Sequence, residues 1–338
     1  MKRLLTIALA ALPTLLVGQS LTVHSGATAV LHNGTALTCA NANLKVEGTL
    51  LAEPTTVIVM AGSSSSIART ISGRGEATIN TLKIAGNVRT ERDLSVSGNL
   101  TFNSGVLDIQ HHDLYLTGSI VGETFSSYLT ASTGEVVSQQ MVGSQQRSLL
   151  GLTATSQDNA MVEVRRGHAT SQRGKDISVS RYYTFSPPVN LGAFTFSYLP
   201  NEKNTVMEPQ VNSHVNGEWV INTAQSNNPL EVVGFENTEK VTVFNEPEVY
   251  IPKSFSPNGD GINDYLEVVG AEKHENNRMV IFSQKETTTV VFDRSPYKND
   301  FDGTINGTPL PEQTYFYIYY RDAQSDKNPK KGYFELVR

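Results

Sequence analysis

The sequence predicts an all-β protein of several domains, and three observations predict it. A short pattern of alternating apolar residues closed by glycine recurs four times in the N-terminal part. Runs of aromatic and β-branched residues, punctuated by Gly, Pro, Asn and Asp, fill the remainder, which is the signature of short strands joined by turns. Helix signals are sparse throughout. A length of 338 residues fits two or three domains of about 100–200 residues each. The chain divides into a leader at 1–18, an irregular β-solenoid or β-helix-like repeat region at 19–148, a β-sandwich at 149–245 and a final β domain at 246–338.

Met1-Lys2-Arg3 is a basic head, and Leu4 to Val17 is an apolar run of signal-peptide length, shorter than a bilayer span. Gly18 is small and Gln19-Ser20 is polar, so a cleavable leader ends at Gly18. A membrane anchor is the rival reading, but no stop-transfer flank follows. No later apolar run reaches spanning length, so no transmembrane span is expected in the mature chain. Cys39 is the one cysteine, so no intramolecular disulfide can form, and none sits at the cleavage point to carry a lipid. Cys39 reads as a small buried hydrophobe rather than a nucleophile. The net charge of −6 argues against a nucleic-acid partner, which requires a basic face.

In residues 19–148 the pattern Leu-x-apolar-x-Gly-x-apolar begins at Leu44, Leu82, Leu94 and Leu114. Its period of two sends Leu44, Val46 and Leu50 to one face and Lys45, Glu47 and Thr49 to the other. The glycine allows a bulge or a tight bend. Strands this short have no core of their own and must borrow one from stacked neighbours. The copies start 38, 12 and 20 residues apart, so the repeat is irregular. A parallel β-helix fits best, with an antiparallel sandwich as its rival. Asp108, His111, His112 and Asp113 are the candidate catalytic or metal-binding cluster, but strand alternation scatters them over two faces, which favours a polar turn. Ser63-Ser64-Ser65-Ser66 reads as a surface loop.

Residues 149–245 carry Arg181-Tyr182-Tyr183-Thr184-Phe185 and Phe194-Thr195-Phe196-Ser197-Tyr198, read as two strands across a turn closed by Pro187-Pro188. Further strands follow at Glu218–Ile221, Leu230–Val233 and Val241–Phe244, with Trp219 in or near the core. Arg165, Arg166, Arg173, Lys175 and Arg181 form a basic stretch, read as a solvated loop in preference to a binding site for an anionic glycan.

The most distinctive string follows. Phe255-Ser256-Pro257-Asn258-Gly259-Asp260-Gly261-Ile262-Asn263-Asp264 lies between the β-favouring runs Val249–Ile251 and Tyr265–Val269. Its glycines permit positive φ and its Asn and Asp side chains can bond the nearby backbone. A second turn contains Asp302 and Gly303. An aromatic strand with Tyr315 follows, and the chain ends on Lys331-Gly332-Tyr333-Phe334-Glu335-Leu336-Val337-Arg338.

In order and spacing these residues resemble the gliding-motility-associated, type B, C-terminal sorting domain of the Bacteroidetes type IX secretion system. The resemblance covers about residues 247–338, and the first loop matches in full. Three departures stand out: Ser283-Gln284-Lys285-Glu286 replaces an arginine-tryptophan-glycine turn, Phe301 replaces a tryptophan and Gln313 replaces a glycine. The resemblance implies an immunoglobulin-like β-sandwich and a surface read by translocon or shuttle proteins of the outer membrane. It assigns sorting and docking to Phe255, Ser256, Pro257, Asn258, Gly259, Asp260, Gly261, Asn263, Asp264, Asp302, Gly303, Tyr315, Lys331, Gly332 and Arg338. Phe255 and Tyr315 are the members expected in the core. A linker at Phe244–Glu248 would precede the domain.

No serine-hydrolase elbow, zincin helix or phosphate-binding glycine loop is present in the sequence. Asn258, Asp260 and Asp264 have oxygen spacing that makes calcium a weak candidate, against a loop that satisfies its own hydrogen bonds. The expectation is a non-catalytic protein, exported to the cell surface or medium, with an adhesin-like or structural passenger. The alternatives are a secretion-system accessory or envelope-signalling protein similar to PorA, whose partner is a periplasmic or envelope sensor, and a carbohydrate-active β-helix enzyme.

Overall fold

The computed structural model describes residues 14–17, 20–62, 68–207, 209–221, 228–245, 249–283, 289–324, 326 and 329–338. The chain forms two compact units, residues 1–245 and 246–338. Among the described residues the only helical turns are the 3₁₀ segments Pro200–Glu202 and Ala271–Lys273. No described helix is long and apolar enough to cross a membrane.

The first unit begins as a parallel β-helix with three faces. The first face stacks Thr14–Val17, Ala36–Ala40, Val57–Ala61, Thr81–Ala85, the start of Leu100–Asp108 and Ile120–Val121. The second stacks Ser20–Val23, Asn43–Val46, Arg69–Ser72, Val88–Thr90, the end of Leu100–Asp108 and Ser127–Thr130. The third stacks Thr28–Leu31, Thr49–Ala52 and Glu76–Thr78, then passes through the Ile79–Val96 bridge to Leu94–Val96 and Leu114–Leu116. All the strand pairings in this region are parallel, so the antiparallel rival is excluded. First-face strands start at 14, 36, 57, 81, 100 and 120, so one turn of the helix takes 19 to 24 residues.

Stacking turns the alternating pattern into columns. Leu37, Ile58, Leu82 and Leu100 are successive register partners, as are Cys39, Met60, Ile84 and Phe102, and all are buried. Burial in this column pushes the Cys39 thiol up to about 11, so it stays protonated and inert at neutral pH. Corner residues stitch one turn to the next. Asn43, Asn87 and Asn99 accept the backbone N–H of Thr70, Val106 and Ser119 at 2.9, 3.0 and 2.9 Å. The corner glycines let backbones approach: a Cβ on Gly118 would lie 2.3 Å from the Gly98 carbonyl oxygen. Close stacking, rather than a bulge, is what the repeated glycine provides there.

Most of the expected leader lies outside the described residues. Its last part, Thr14–Val17, pairs in parallel with Leu37–Ala40 as the outermost strand. An apolar extended run is a natural complement to an open sheet edge.

The strand Glu135–Val142 converts one architecture into the other. Its start pairs in parallel with Leu114–Tyr115, and its full length pairs antiparallel with Ala160–Gly167. The sheet continues through Tyr182–Phe196, Leu230–Asn245, Pro209–Val215 and Glu218–Ile221. A single apolar core runs from Val23 to Val243, so sheet and core pass without interruption across position 148/149. The two strands expected on either side of Pro187-Pro188 are one strand, Tyr182–Phe196. The prolines donate no ladder hydrogen bonds, so the pairing register shifts between Thr184 and Val189 and the chain runs on instead of turning back. Trp219 sits half-buried on the edge strand, its ring 5.0 Å edge-to-face from the fully buried Phe244 and its indole N–H donating to the Gln172 carbonyl.

The final unit is a five-stranded sheet in the order Ser254–Phe255, Lys330–Leu336, Gln313–Tyr320, Arg278–Ser283, Val290–Arg294. Alternation along the aromatic strand buries Tyr315, Tyr317 and Tyr319 on one face. Val249, Ile251, Leu266 and Val268 share that core, carried by extended segments joined through a Tyr250–Val269 bridge. The departure at 284–286 and the linker residues 246–248 lie outside the described residues.

Candidate functional site

The loop 255–264 hangs from a rigid anchor. Phe255 pairs with Leu336 in parallel register, and its ring lies 5.5 Å from Phe334 and 5.7 Å from Phe301. Phe301, standing where a tryptophan is usual, is buried and also lies 4.8 Å from Phe292. Tyr315 stacks on Phe334 at 5.7 Å and donates its hydroxyl to the Pro311 carbonyl at 2.9 Å. Edge and stacked aromatic pairs of this kind add about 0.5–1.5 kcal/mol each beyond the area they bury.

Beyond Phe255 the loop is self-satisfied. Ser256 N–H donates to the Asn263 carbonyl at 2.9 Å and closes it. The Asp264 carboxylate accepts the N–H groups of Gly259 at 2.7 Å and Gly261 at 2.8 Å. These bonds, the one from Gly259 first, hold the Asp264 carboxyl below its ordinary pKa. Asn258 accepts from Asp260 N–H, and Asp260 accepts from Ile262 N–H. Gly259, Gly261 and Asn263 adopt φ of 81°, 84° and 55° to allow the tight path. The oxygens of Asn258, Asp260 and Asp264 are thus engaged within the loop, by its backbone N–H groups and, for one Asp260 oxygen, by the Asn258 side-chain amide. The second turn does not add oxygens to them: Asp302 accepts from the Thr304 N–H and hydroxyl, and Asp300 pairs with Arg294. Among the described residues no three His, Cys, Asp or Glu side chains converge as a metal cage.

Gly303 joins the two turns. A Cβ there, at φ 72°, would meet Leu336 at 2.8 Å and Pro257 at 3.1 Å. The chain terminus is tied to the same place, since Arg338 donates to the Leu310 carbonyl at 2.6 Å and the Gly303 carbonyl at 3.2 Å. Gly332 lies beneath the Tyr317 ring, where a Cβ would come within 2.5 Å of the hydroxyl oxygen, and Lys331 is exposed. The predicted docking residues therefore gather into one structure around Phe255, Pro257, Gly303 and Arg338, while Lys331 and Gly332 lie further along the last strand.

In the first unit the basic stretch is a solvated loop only at Lys175, which is exposed in the turn between Gln172–Arg173 and Asp176–Ile177; its four arginines are paired. Arg166 is fully buried and grips Glu123 with two bonds of 2.7 and 2.8 Å. Arg181 lies 3.0 Å from Glu202 and 3.7 Å from Glu123, and His168 lies 3.6 Å from Glu202. Burial pushes the Glu123 and Glu202 carboxyls up, but the arginines and hydrogen bonds outweigh it and hold both at about 2. Burial pushes the His168 imidazole down to about 4, against its bond to Glu202. Arg173 bridges Asp176, Asn212 and the Asn245 carbonyl, and Arg165 faces Glu163, Glu135 and Asp113. These cations are neutralised by carboxylates as far as 43 residues away in sequence, which a linear charge pattern does not reveal.

Asp108, Asp113 and His112 of the second candidate cluster also make contacts within and between turns of the helix. Asp108 accepts from Gln110 N–H, and Asp93 and Asp113 accept from the N–H of Asp113 and Glu135 in the next turns of the helix. His112 reaches Asp93 at 3.5 Å, and the rings of His111 and His112 are 4.1 Å apart.

Residues 249–336 match the CHU_C type IX secretion signal domain family. No curated protein and no solved structure matches the chain. The final unit is thus a type IX secretion signal domain, a β-sheet domain at the end of a nearly all-β chain.

Proposed function

We propose that the protein is a non-catalytic type IX cargo whose solenoid-bearing first unit is an adhesin-like or structural passenger. The observation that carries the reading is the signal domain at 249–336, which implies export to the cell surface or medium. The leader at 1–18 delivers the chain across the inner membrane, and the final unit is then read by translocon or shuttle proteins of the outer membrane. Two features support the passenger role. The parallel helix offers long, stiff, stacked faces, a surface suited to binding or spacing rather than to chemistry. Its ionisable clusters are consumed by turn-to-turn stitching and by the buried Glu123–Arg166–Arg181–Glu202 network.

The test is localisation of the full chain and of a version ending at Asn245, in cells with and without a working type IX translocon. Surface or medium localisation that needs both the translocon and residues 246–338 supports the cargo reading. Unchanged location with altered secretion of other proteins, or with altered stress signalling, replaces it with the accessory reading.

A further inference from the structure

The sheet of the final unit has one face on its aromatic core; the other carries an apolar row of its own. Val290, Phe282, Phe316 and Tyr333 are register partners in turn across four strands. Val290, Phe316 and Tyr333 are 48 %, 37 % and 53 % exposed, and Phe282 is half-buried. Ile318 extends the row toward Lys331, its own register partner. An exposed apolar row across four adjacent strands is more than the scattered single apolar residues of an ordinary surface.

The charges beside the row indicate what covers it. Lys331 and Glu335 lie two residues before and two after Tyr333 on the same strand, so all three side chains point to this face. Both ions are exposed, and neither has an ion-pair partner among the described residues. A positive and a negative charge at equal distances from an apolar row form a self-complementary pattern. Rotation by half a turn about an axis along the row sets each strand antiparallel over its own copy. Lys331 then faces Glu335 of the second copy, and Glu335 faces Lys331. A partner of single charge sign would instead meet one ion of like sign.

We propose that this face is a homodimer interface, with two chains stacking their final sheets about a two-fold axis along Val290–Phe282–Phe316–Tyr333. The aligned stacking of two twisted sheets, about 10 Å apart and within about 30° of parallel, accommodates such a contact. The dimer is independent of the cargo reading, since it asks only what lies against this face.

The experiment is sedimentation velocity of the full chain from about 1 to about 100 μM, a range that brackets a weak specific dimer. The wild type is expected to dimerise, and Phe316→Ser to stay monomeric. Lys331→Glu and Glu335→Lys are each expected to weaken association about tenfold at low salt, where exposed charges are least screened. The double exchange K331E/E335K should restore it. A wild type monomeric at the highest concentration overturns the proposal. So does a dimer indifferent to both single exchanges, or a double exchange that fails to recover. A monomer whose Phe316→Ser variant loses export would assign the face to the secretion partner and also overturn it.

Discussion

The two units solve the same problem, burying apolar surface without a disulfide, by different means. The first accumulates it: short aliphatic strands stack in columns, corner amides tie each turn to the next, and every turn depends on its neighbours. The second concentrates it: the rings of Phe255, Phe292, Phe301, Tyr315 and Phe334 form one cluster, and the adjoining polar loop satisfies itself. The lesson concerns modularity. A stack can lengthen, shorten or bend into an antiparallel sheet while an address built on one compact cluster keeps its surface unchanged.

The sharpest way to break the comparison is at the buried Glu123–Arg166–Arg181–Glu202 network, a concentrated contact inside the first unit. Glu123→Ala leaves Arg166 buried without its counter-ion and is expected to cost about 4 kcal/mol. Calorimetry should show the loss in the first unit's transition only. Phe301→Ala should cost about 3 kcal/mol in the second unit's transition and leave the first unmoved. A single merged transition shifting with both substitutions would refute the independence of the two clusters.

Acid separates the units more gently. His168 binds its proton at about 4 when folded against an ordinary 6.5, so the folded state holds fewer protons than the unfolded one between those values. Stability is therefore full above pH 6.5 and falls as the pH drops toward 4. Glu123 and Glu202, at about 2 against 4.5, add a second loss from pH 4.5 down to 2. The first unit's melting temperature should decline in this sequence, and His168→Gln should remove the upper part of the decline alone. The smallest effect belongs to a single corner. Asn99→Ala removes one bond to the next turn and should cost about 1 kcal/mol, read by chemical denaturation.

Much of this was legible in the sequence, and the rest was hidden for identifiable reasons. Alternation and glycine at Leu94 and Leu114 mark the same corner one turn apart, and their spacing of 20 is the length of that turn. Leu44 and Leu82 carry the same pattern on the second and first faces, so their spacings are not whole turns. The strand at Tyr182–Phe196 was obscured because prolines announce a turn but here only shift a register. The Arg166 network was invisible because its carboxylates come from residues 123 and 202, on either side in the chain. The self-satisfied character of the 255–264 loop was readable, though not its individual bonds, because Asn and Asp bond backbone N–H groups within a few residues of themselves.

The central claim is that the final unit is an address that acts by itself. Its most direct test is to fuse residues 246–338 to a periplasmic reporter and measure the reporter at the surface and in the medium, with and without a type IX translocon. The account predicts translocon-dependent export of the fusion. A folded fusion that stays periplasmic in translocon-competent cells would contradict it.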